Sequence, residues 1–165
     1  MPLIVESGAG LPNANSYISV AGADAYYAAR ASAAWAALTT EQKEGALIRA
    51  TDYMMQTYRT RWKGSRMYSS QALDWPRYDV VVDDFTLPSN AVPSDVANAC
   101  AELALKASAG SLSTDIGRLK SRTKIGPIEV EYATGSSSQT RYVAVDGILS
   151  AYLRGGAGQI SLVRA

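Results

Sequence analysis

The sequence predicts a mainly α-helical α+β fold: a small helical bundle with a β-hairpin or extended strand pair and a C-terminal arm. Apolar residues recur every three or four positions over residues 40–58 and again over 93–109, which predicts two amphipathic helices. Charged residues alternate over residues 118–131, which is typical of strands. We expect a single helical domain at 1–154 and a flexible arm at 155–165.

The composition argues against several classes of protein. The net charge is only +1, so attraction to nucleic acid would need a local patch. There is no histidine and one cysteine, Cys100, which removes the commonest general base and any zinc cluster or internal disulfide. Cys100 lies in an apolar run and is expected to be a small buried hydrophobe. We expect neither enzymatic activity nor a cofactor, because no nucleophile, base or phosphate-binding loop can be assembled.

The N-terminal half is expected to hold two helices after an extended lead-in at residues 3–18. Ser19 is a suitable N-cap for an alanine-rich helix over residues 20–35. Thr39 and Gln42 form a capping box for a helix that runs from Thr40 to about Tyr58. The buried stripe of this second helix is expected at Leu47, Ala50, Met54 and Tyr58.

Aromatic and basic residues interleave after the second helix, a pattern typical of single-strand nucleic-acid sites. The candidate residues are Tyr58, Arg59, Arg61, Trp62, Lys63, Arg66 and Trp75. A structural interpretation fits the same residues, with the rings packed in the core and the basic groups solvated. Both interpretations stay open at the level of the sequence.

A third helix is predicted over residues 93–109, after a strand-like stretch at 79–82. Its buried side would carry Val96, Ala99, Cys100, Leu103 and Ala107, with Gly110 as the C-terminal cap. The helices at 40–58 and 93–109 are expected to pack together, with the first helix across them. The adjacent acids Asp83 and Asp84 are expected to be solvated rather than to bind a metal.

The alternating charges predict a strand pair at about residues 118–133. The basic side chains Arg118, Lys120, Arg122 and Lys124 share one face of the first strand, while Glu129 and Glu131 share a face of the second. A reversal near Gly126 and Pro127 would set Lys124 opposite Glu129. It would also set Arg122 opposite Glu131. Strands from two different subunits would fit the pattern equally well.

The C-terminal region is expected to contain a short helix and an arm. Residues 142–153 place Val145, Ile148, Leu149 and Tyr152 on one side of a helix. The glycine-rich segment at 154–158 is a joint, and the apolar tip that follows either docks on another protein or folds back on its own domain. No signal peptide or apolar run of membrane-spanning length is present, which favours a soluble protein made in a reducing cytoplasm.

Several segments in order resemble one family of tailed-bacteriophage proteins over nearly the whole chain. They are LIVESGAGLPNANSYISVAGADAYYAAR, ALIRATDYM, ALDWPR, VPSDVANACAELAL, KIGPIEVEY and AVDGIL. This family is labelled "putative DnaT-like single-stranded-DNA-binding protein", and its members are similar in architecture to head-to-tail adaptors (head completion or neck proteins). The resemblance implies a structural protein of the virion neck, made in the host cytoplasm without membrane contact. It also implies a twelve-fold ring between the portal and the tail or neck proteins, through which DNA passes without its sequence being read.

The resemblance assigns roles to residues in the second half of the chain. As an adaptor, the protein would form inter-subunit or lumen-facing strands with Arg118, Lys120, Arg122, Lys124, Glu129 and Glu131. The portal-binding arm would use Ile160, Leu162, Val163 and Arg164. The alternative is a single-stranded-DNA-binding protein that uses the aromatic and basic residues after the second helix. A third interpretation is a tail-tube or neck protein of another ring.

Overall fold

The helices dominate the fold, as the sequence predicts, and the computed structural model describes residues 2–113, 122–125, 128–131 and 140–155. The fold class is therefore confirmed as mainly helical α+β. The helices are α1 (Val20–Ala28), α2 (Ala33–Ala36), α3 (Thr40–Tyr58), α4 (Ser94–Ala109) and α5 (Val143–Leu149), with a 3-10 turn at Ser150–Tyr152. The strands are β1 (Ser65–Arg66), β2 (Arg77–Tyr78), β3 (Val81–Val82), β4 (Phe85–Thr86), β5 (Arg122–Ile125) and β6 (Ile128–Glu131). They form the antiparallel pairs β1–β2, β3–β4 and β5–β6.

Helices α3 and α4 form the centre of the core, and α1 and α5 pack against them. The residues predicted to be buried are buried in both helices: Leu47, Ala50, Met54, Tyr58, Val96, Ala99, Cys100, Leu103 and Ala107. Cys100 contacts α3 through its Sγ atom, 3.4 Å from Oγ1 of Thr51. Cys100 is fully buried, as predicted, and this burial raises the pKa of its thiol.

The capping box at the start of α3 is present and gives a prediction for stability. The Thr39 hydroxyl accepts from the Gln42 backbone N–H, and the Gln42 side chain accepts from the Thr39 N–H. We expect Thr39→Ala to lower the free energy of unfolding by about 1 kcal/mol, because one N-terminal N–H loses its partner. Urea unfolding followed by circular dichroism measures this, with Thr40→Ala as the matched control. Equal stabilities of the two variants would contradict the capping role.

The prediction of one continuous helix over residues 20–35 is wrong. Helix α1 ends at Ala28, and Ala31 adopts a left-handed backbone with φ 51° before α2 begins. A continuous helix would separate Tyr27 and Trp35 by about 12 Å along its axis. The break instead stacks the two rings with centroids 5.0 Å apart, and the Trp35 indole N–H donates to Asp24 at 2.7 Å. Burial of Trp35 therefore decides the break.

Helix α4 ends where the sequence predicts, with Gly110 at the C-cap position. Gly110 follows the helix with φ 172°, which is extended backbone that any residue adopts. The backbone at this position therefore does not require glycine, and the helix passes into an extended segment. The start of the helix is as predicted, with Pro93 before Ser94.

The C-terminal segment 140–155 is tied to the core by two buried tyrosines. Tyr58 donates its hydroxyl to Asp146 at 2.8 Å, and Tyr152 donates to Asp95 at 2.9 Å. Val145, Leu149 and Tyr152 are buried, as predicted for this side of the helix. Helix α5 and the turn that follows it are thus packed against the other helices.

Strands β5 and β6 pair in the register that the charges predict. Arg122 lies opposite Glu131, and Lys124 lies opposite Glu129. Within the described backbone the pairing is between two strands of one chain, separated by residues 126 and 127. Arg118 and Lys120 lie outside the described residues, as does the arm with Ile160, Leu162, Val163 and Arg164.

The part of the chain that the structure describes contains neither a candidate membrane span nor a candidate metal site. No helix there has the length and apolar character needed to span a bilayer. No set of three or more Asp, Glu, Cys or His side chains is grouped there as for a metal ion. Asp83 and Asp84 are exposed and form the turn between β3 and β4, with left-handed φ values of 50° and 67°.

Candidate nucleic-acid interface

The aromatic side chains proposed to stack on bases are buried. Tyr58, Trp62 and Trp75 are at most 2% exposed. Their rings form a row in which the centroids of neighbours lie 5.9 Å and 5.7 Å apart, and Tyr152 continues the row at 6.0 Å. Bases cannot reach these rings unless the core opens, so the structural interpretation holds for the three rings. Aromatic residues that pack in a core and aromatic residues that stack on bases have the same sequence pattern. Only the packing of the folded chain shows that these three rings are buried.

The basic residues of the same loop remain at the surface, completely or in part. Arg59 is exposed, whereas Arg61, Lys63 and Arg66 are half-buried. The Arg61 guanidinium lies 5.7 Å from the Tyr58 ring centroid, within the range of a cation–π contact. The basic side chains of the loop therefore lie at the surface, above aromatic rings that are buried in the core.

The C-terminal segment adds Arg154 to this loop, a residue that does not belong to the interleaved sequence pattern. Trp62 and Leu153 form an antiparallel bridge. The backbone N–H of Lys63 donates to Tyr152 at 2.9 Å, and that of Arg154 donates to Arg61 at 2.6 Å. No local sequence signal reveals this neighbour, because the two segments are about 90 residues apart and meet only in the tertiary structure.

Arg77 is a structural residue of the loop and not part of its surface. It is buried, and its guanidinium donates to the backbone carbonyls of Lys63, Gly64 and Asp74 at 2.8 to 3.1 Å. Burial lowers the pKa of Arg77, and the nearby Asp74 carboxyl acts in the opposite direction. Through these hydrogen bonds Arg77, a residue of β2, holds the backbone just before β1 and the backbone at Asp74.

Asp74 is a buried carboxyl beneath the basic residues. Nε of Arg59 lies 3.6 Å from its Oδ1 atom, and neither carboxyl oxygen has a hydrogen-bond partner among the described residues. Burial raises the pKa of the Asp74 carboxyl, while the charges of Arg59, Arg77 and Arg66 act in the opposite direction. One buried acid thus lies below several surface cations.

The raised pKa of Asp74 predicts how stability depends on pH. The neutral carboxyl contributes stability that is fully present below about pH 3.9, the unfolded value, and is lost as the pH rises through the raised folded pKa. We therefore expect Asp74→Asn, which remains neutral, to be more stable than the unsubstituted protein at neutral pH. The difference should shrink as the pH falls. Urea unfolding at a series of pH values measures it.

The control for this prediction is Asp79→Asn, which removes an exposed carboxyl from a left-handed position that asparagine tolerates. This variant should keep the pH dependence of the unsubstituted protein. If the stability of Asp74→Asn depended on pH as that of the unsubstituted protein does, the pKa of Asp74 would be the same in the folded and unfolded states.

Other aromatic rings are exposed near the loop. Tyr68 is 48% exposed and Tyr78 is 43% exposed, and Phe85 at the start of β4 is 75% exposed. The sequence does not mark these rings clearly as surface residues, although Phe85 directly follows the acidic turn pair, which is a signal of exposure. Tyr68 stands nearest in sequence to the basic residues, two positions after Arg66.

Lys63 and Arg154 lie beside exposed acids, whereas the acid near Arg59 is the buried Asp74. They line an open pocket of about 480 Å³ together with Asp79, Asp83 and Asp84. Three carboxyl groups at this position weaken any attraction for phosphate. Arg66 has a buried Nε atom and donates through Nη2 to the Gln71 carbonyl. The basic surface available to an anion is therefore Arg59 and Arg61, which we call the arginine face.

The fold and this surface define a small α+β protein with a local basic patch over a buried aromatic row. A family model matches residues 1–165, and the chain belongs to this family, described as "Putative DnaT-like ssDNA binding protein". The family membership inferred from the sequence segments is thus confirmed. No curated protein and no solved structure matches the chain.

Proposed function

We propose that the protein binds single-stranded DNA through phosphate contacts of the arginine face. The family description supports this proposal. The observation that carries it is the position of Arg59 and Arg61 at the surface of a loop that buried rings hold in place. Guanidinium groups bind phosphate oxygens with two parallel hydrogen bonds, which suits a phosphate backbone.

Binding of this kind recognises the strand by charge and reads little of its sequence. Phosphate contacts carry no base information, and the buried tryptophans are not available for stacking. Tyr68 is the exposed ring closest in sequence to the arginine face, and stacking of a base on it would favour single strands over a duplex. The proposal assigns no catalytic group, so we expect no turnover of a substrate.

A salt series with a labelled oligonucleotide tests the proposal. We expect micromolar binding at low salt and a steep loss of affinity as salt rises, because counterions are released from the strand. The double variant Arg59→Ser with Arg61→Ser should bind more weakly and reduce the slope of log K against log salt by about 1.4, about 0.7 for each phosphate contact. Tyr68→Ala should weaken binding with little change in the slope.

The matched control is Arg30→Ser with Lys106→Ser, which removes the same charge from exposed positions on other elements. This control should keep both the affinity and the slope. Absence of binding at low salt overturns the proposal, and equal losses in the two double variants reduce it to attraction by net charge.

A second candidate function is that of a head-to-tail adaptor between the portal and the tail. The register of β5 and β6 favours it, because a basic strand and an acidic strand lie side by side in one hairpin. The acidic strand of one copy could then meet the basic strand of the next around a ring, with every contact of the same kind. In this proposal the ring is twelve-fold, lies at the virion neck and lets DNA pass through its lumen.

The adaptor proposal is tested by the mass of the assembly and by the location of the protein in the virion. Native mass spectrometry should give one closed ring, and electron microscopy of labelled virions should find the protein at the neck, in contact with portal and neck proteins. A protein that stays a single copy at low salt, or that is missing from purified particles, contradicts this candidate.

A further inference from the structure

The buried carboxyl of Asp74 lies directly against the arginine face. Its Oδ1 atom lies 3.6 Å from Nε of Arg59, and the Asp74 side chain is only 1% exposed. This distance is longer than an N–H···O hydrogen bond, so the two groups attract each other without forming a close pair. The Arg59 side chain is itself 52% exposed, so its guanidinium has a buried anion on one side and the solvent on the other.

The other cations whose charges act on Asp74 are Arg66 and Arg77, and backbone carbonyls hold both of them. The Arg77 guanidinium donates to three carbonyls, and Nη2 of Arg66 donates to that of Gln71. Arg59 has a long contact and an exposed side chain instead. A phosphate can therefore draw Arg59 away from Asp74 while the other two arginines keep their positions.

The phenol of Tyr17 also faces Asp74, and it carries no charge. Its hydroxyl accepts from the Asp74 backbone N–H at 3.0 Å, and burial, together with the Asp74 charge, raises the pKa of Tyr17. A buried carboxylate is stable only where cations or hydrogen bonds compensate for its lost hydration. Loss of the Arg59 contact therefore favours the neutral, protonated form of Asp74.

The composition of the chain makes a proton taken up at Asp74 easy to recognise. The chain contains no histidine, and ordinary Asp and Glu side chains titrate near pH 4. Few groups of this protein can therefore change charge between about pH 5 and pH 8. In the part of the chain that the structure describes, burial raises the pKa of two acids, Asp74 and Asp52.

We infer that Asp74 and a DNA phosphate compete for Arg59, so that binding of single-stranded DNA is coupled to proton uptake by Asp74. This inference rests on the proposed function, because Arg59 belongs to the arginine face. The proton comes from the solvent and converts the carboxylate to a neutral acid when the phosphate takes over the guanidinium. Coupling between two sites is reciprocal, so protonation of Asp74 also strengthens phosphate binding.

Isothermal titration calorimetry of the full chain with an oligothymidylate tests the inference, because thymine does not titrate between about pH 5 and pH 8. Heats measured in two buffers of different ionisation enthalpy give the number of protons taken up. We expect an uptake of up to about one proton, and an affinity that rises about three- to tenfold from pH 8 to pH 5. A tenfold change corresponds to a pKa of Asp74 that rises by about one on binding.

Two variants assign the proton to Asp74. Asp74→Asn should bind without proton uptake and with an affinity that does not depend on pH, because its amide does not titrate in this range. Arg59→Ser should bind more weakly and also without uptake, since no cation is exchanged between Asp74 and the phosphate. The matched control is Asp52→Asn, which removes a second acid of raised pKa from α3 and should keep the uptake. Thermal unfolding checks that each variant is folded.

The outcomes separate this inference from the proposed function. Binding of the unsubstituted protein without proton uptake overturns the inference and leaves the proposed function intact. An uptake that persists in Asp74→Asn, or that disappears in Asp52→Asn, overturns it as well. Absence of binding at every pH overturns the proposed function and this inference together.

Discussion

Trp75→Ala is expected to lower the free energy of unfolding by about 3 to 5 kcal/mol, the usual cost of truncating a fully buried tryptophan. Trp75 has no exposed surface and lies between Trp62 and Tyr152, with ring centroids 5.7 Å and 6.0 Å away. Its removal leaves a cavity at the point where the basic loop meets the C-terminal segment. Domains of this size unfold at about 5 to 15 kcal/mol, so a large share of the stability is lost.

Urea unfolding followed by circular dichroism measures this loss. The matched control is Tyr68→Ala, whose ring is 48% exposed and whose removal should change stability by about 0.5 kcal/mol or less. The pair also separates structural from binding roles, because Trp75→Ala should act on stability and Tyr68→Ala on DNA affinity. If Trp75→Ala were stable but had lost DNA binding, Trp75 would be part of the DNA interface and not only of the core.

Glu6→Ala is expected to lower the free energy of unfolding by about 3 to 5 kcal/mol, since each buried N–H left without a partner costs about 1 to 3 kcal/mol. The buried Glu6 carboxyl accepts from the backbone N–H groups of Gly8 and Gly10 at 2.8 and 2.9 Å, and from Leu11 at 2.8 Å. Three donors of one turn thus depend on a single side chain. Its loss should open the N-terminal turn as well as weaken the fold.

Thermal and urea unfolding measure the global effect, and hydrogen exchange at Gly8, Gly10 and Leu11 reports the local opening. Glu6→Gln tests the mechanism, because its amide keeps one acceptor oxygen but presents N–H donors to the remaining backbone donor. It should lie between the alanine variant and the unsubstituted protein. Glu44→Ala serves as the control acid, and a loss equal to that of Glu6→Ala would show that charge and not hydrogen bonding matters.

Prediction from the sequence succeeded where the signal is local. Helix α3 begins with the predicted capping box and buries the predicted stripe, because capping and three- to four-residue periodicity act within one helix. The register of β5 and β6 follows from charges a few residues apart. The break between α1 and α2 was missed, since it depends on where Trp35 finds its partners.

The candidate nucleic-acid interface shows even more clearly the difference between what local sequence signals predict and what tertiary contacts decide. Seven residues were proposed from the interleaved pattern, and the structure separates them into three buried rings and four cations at the surface, completely or in part. Lys63 lies beside acids and Arg66 has a buried Nε atom, so only Arg59 and Arg61 form the arginine face. The pattern of residue types was informative about charge but silent about which side of the loop faces the core.

By itself, the sequence determined the main helices, the paired charged strands, the buried thiol and the family, because each depends on spacing within short segments. Only the tertiary structure decided that the tryptophans belong to the core, that Arg154 joins a loop about 90 residues away, and that acids accompany Lys63. The physical reason is that burial and local charge are sums over neighbours, and those neighbours come from distant parts of the chain.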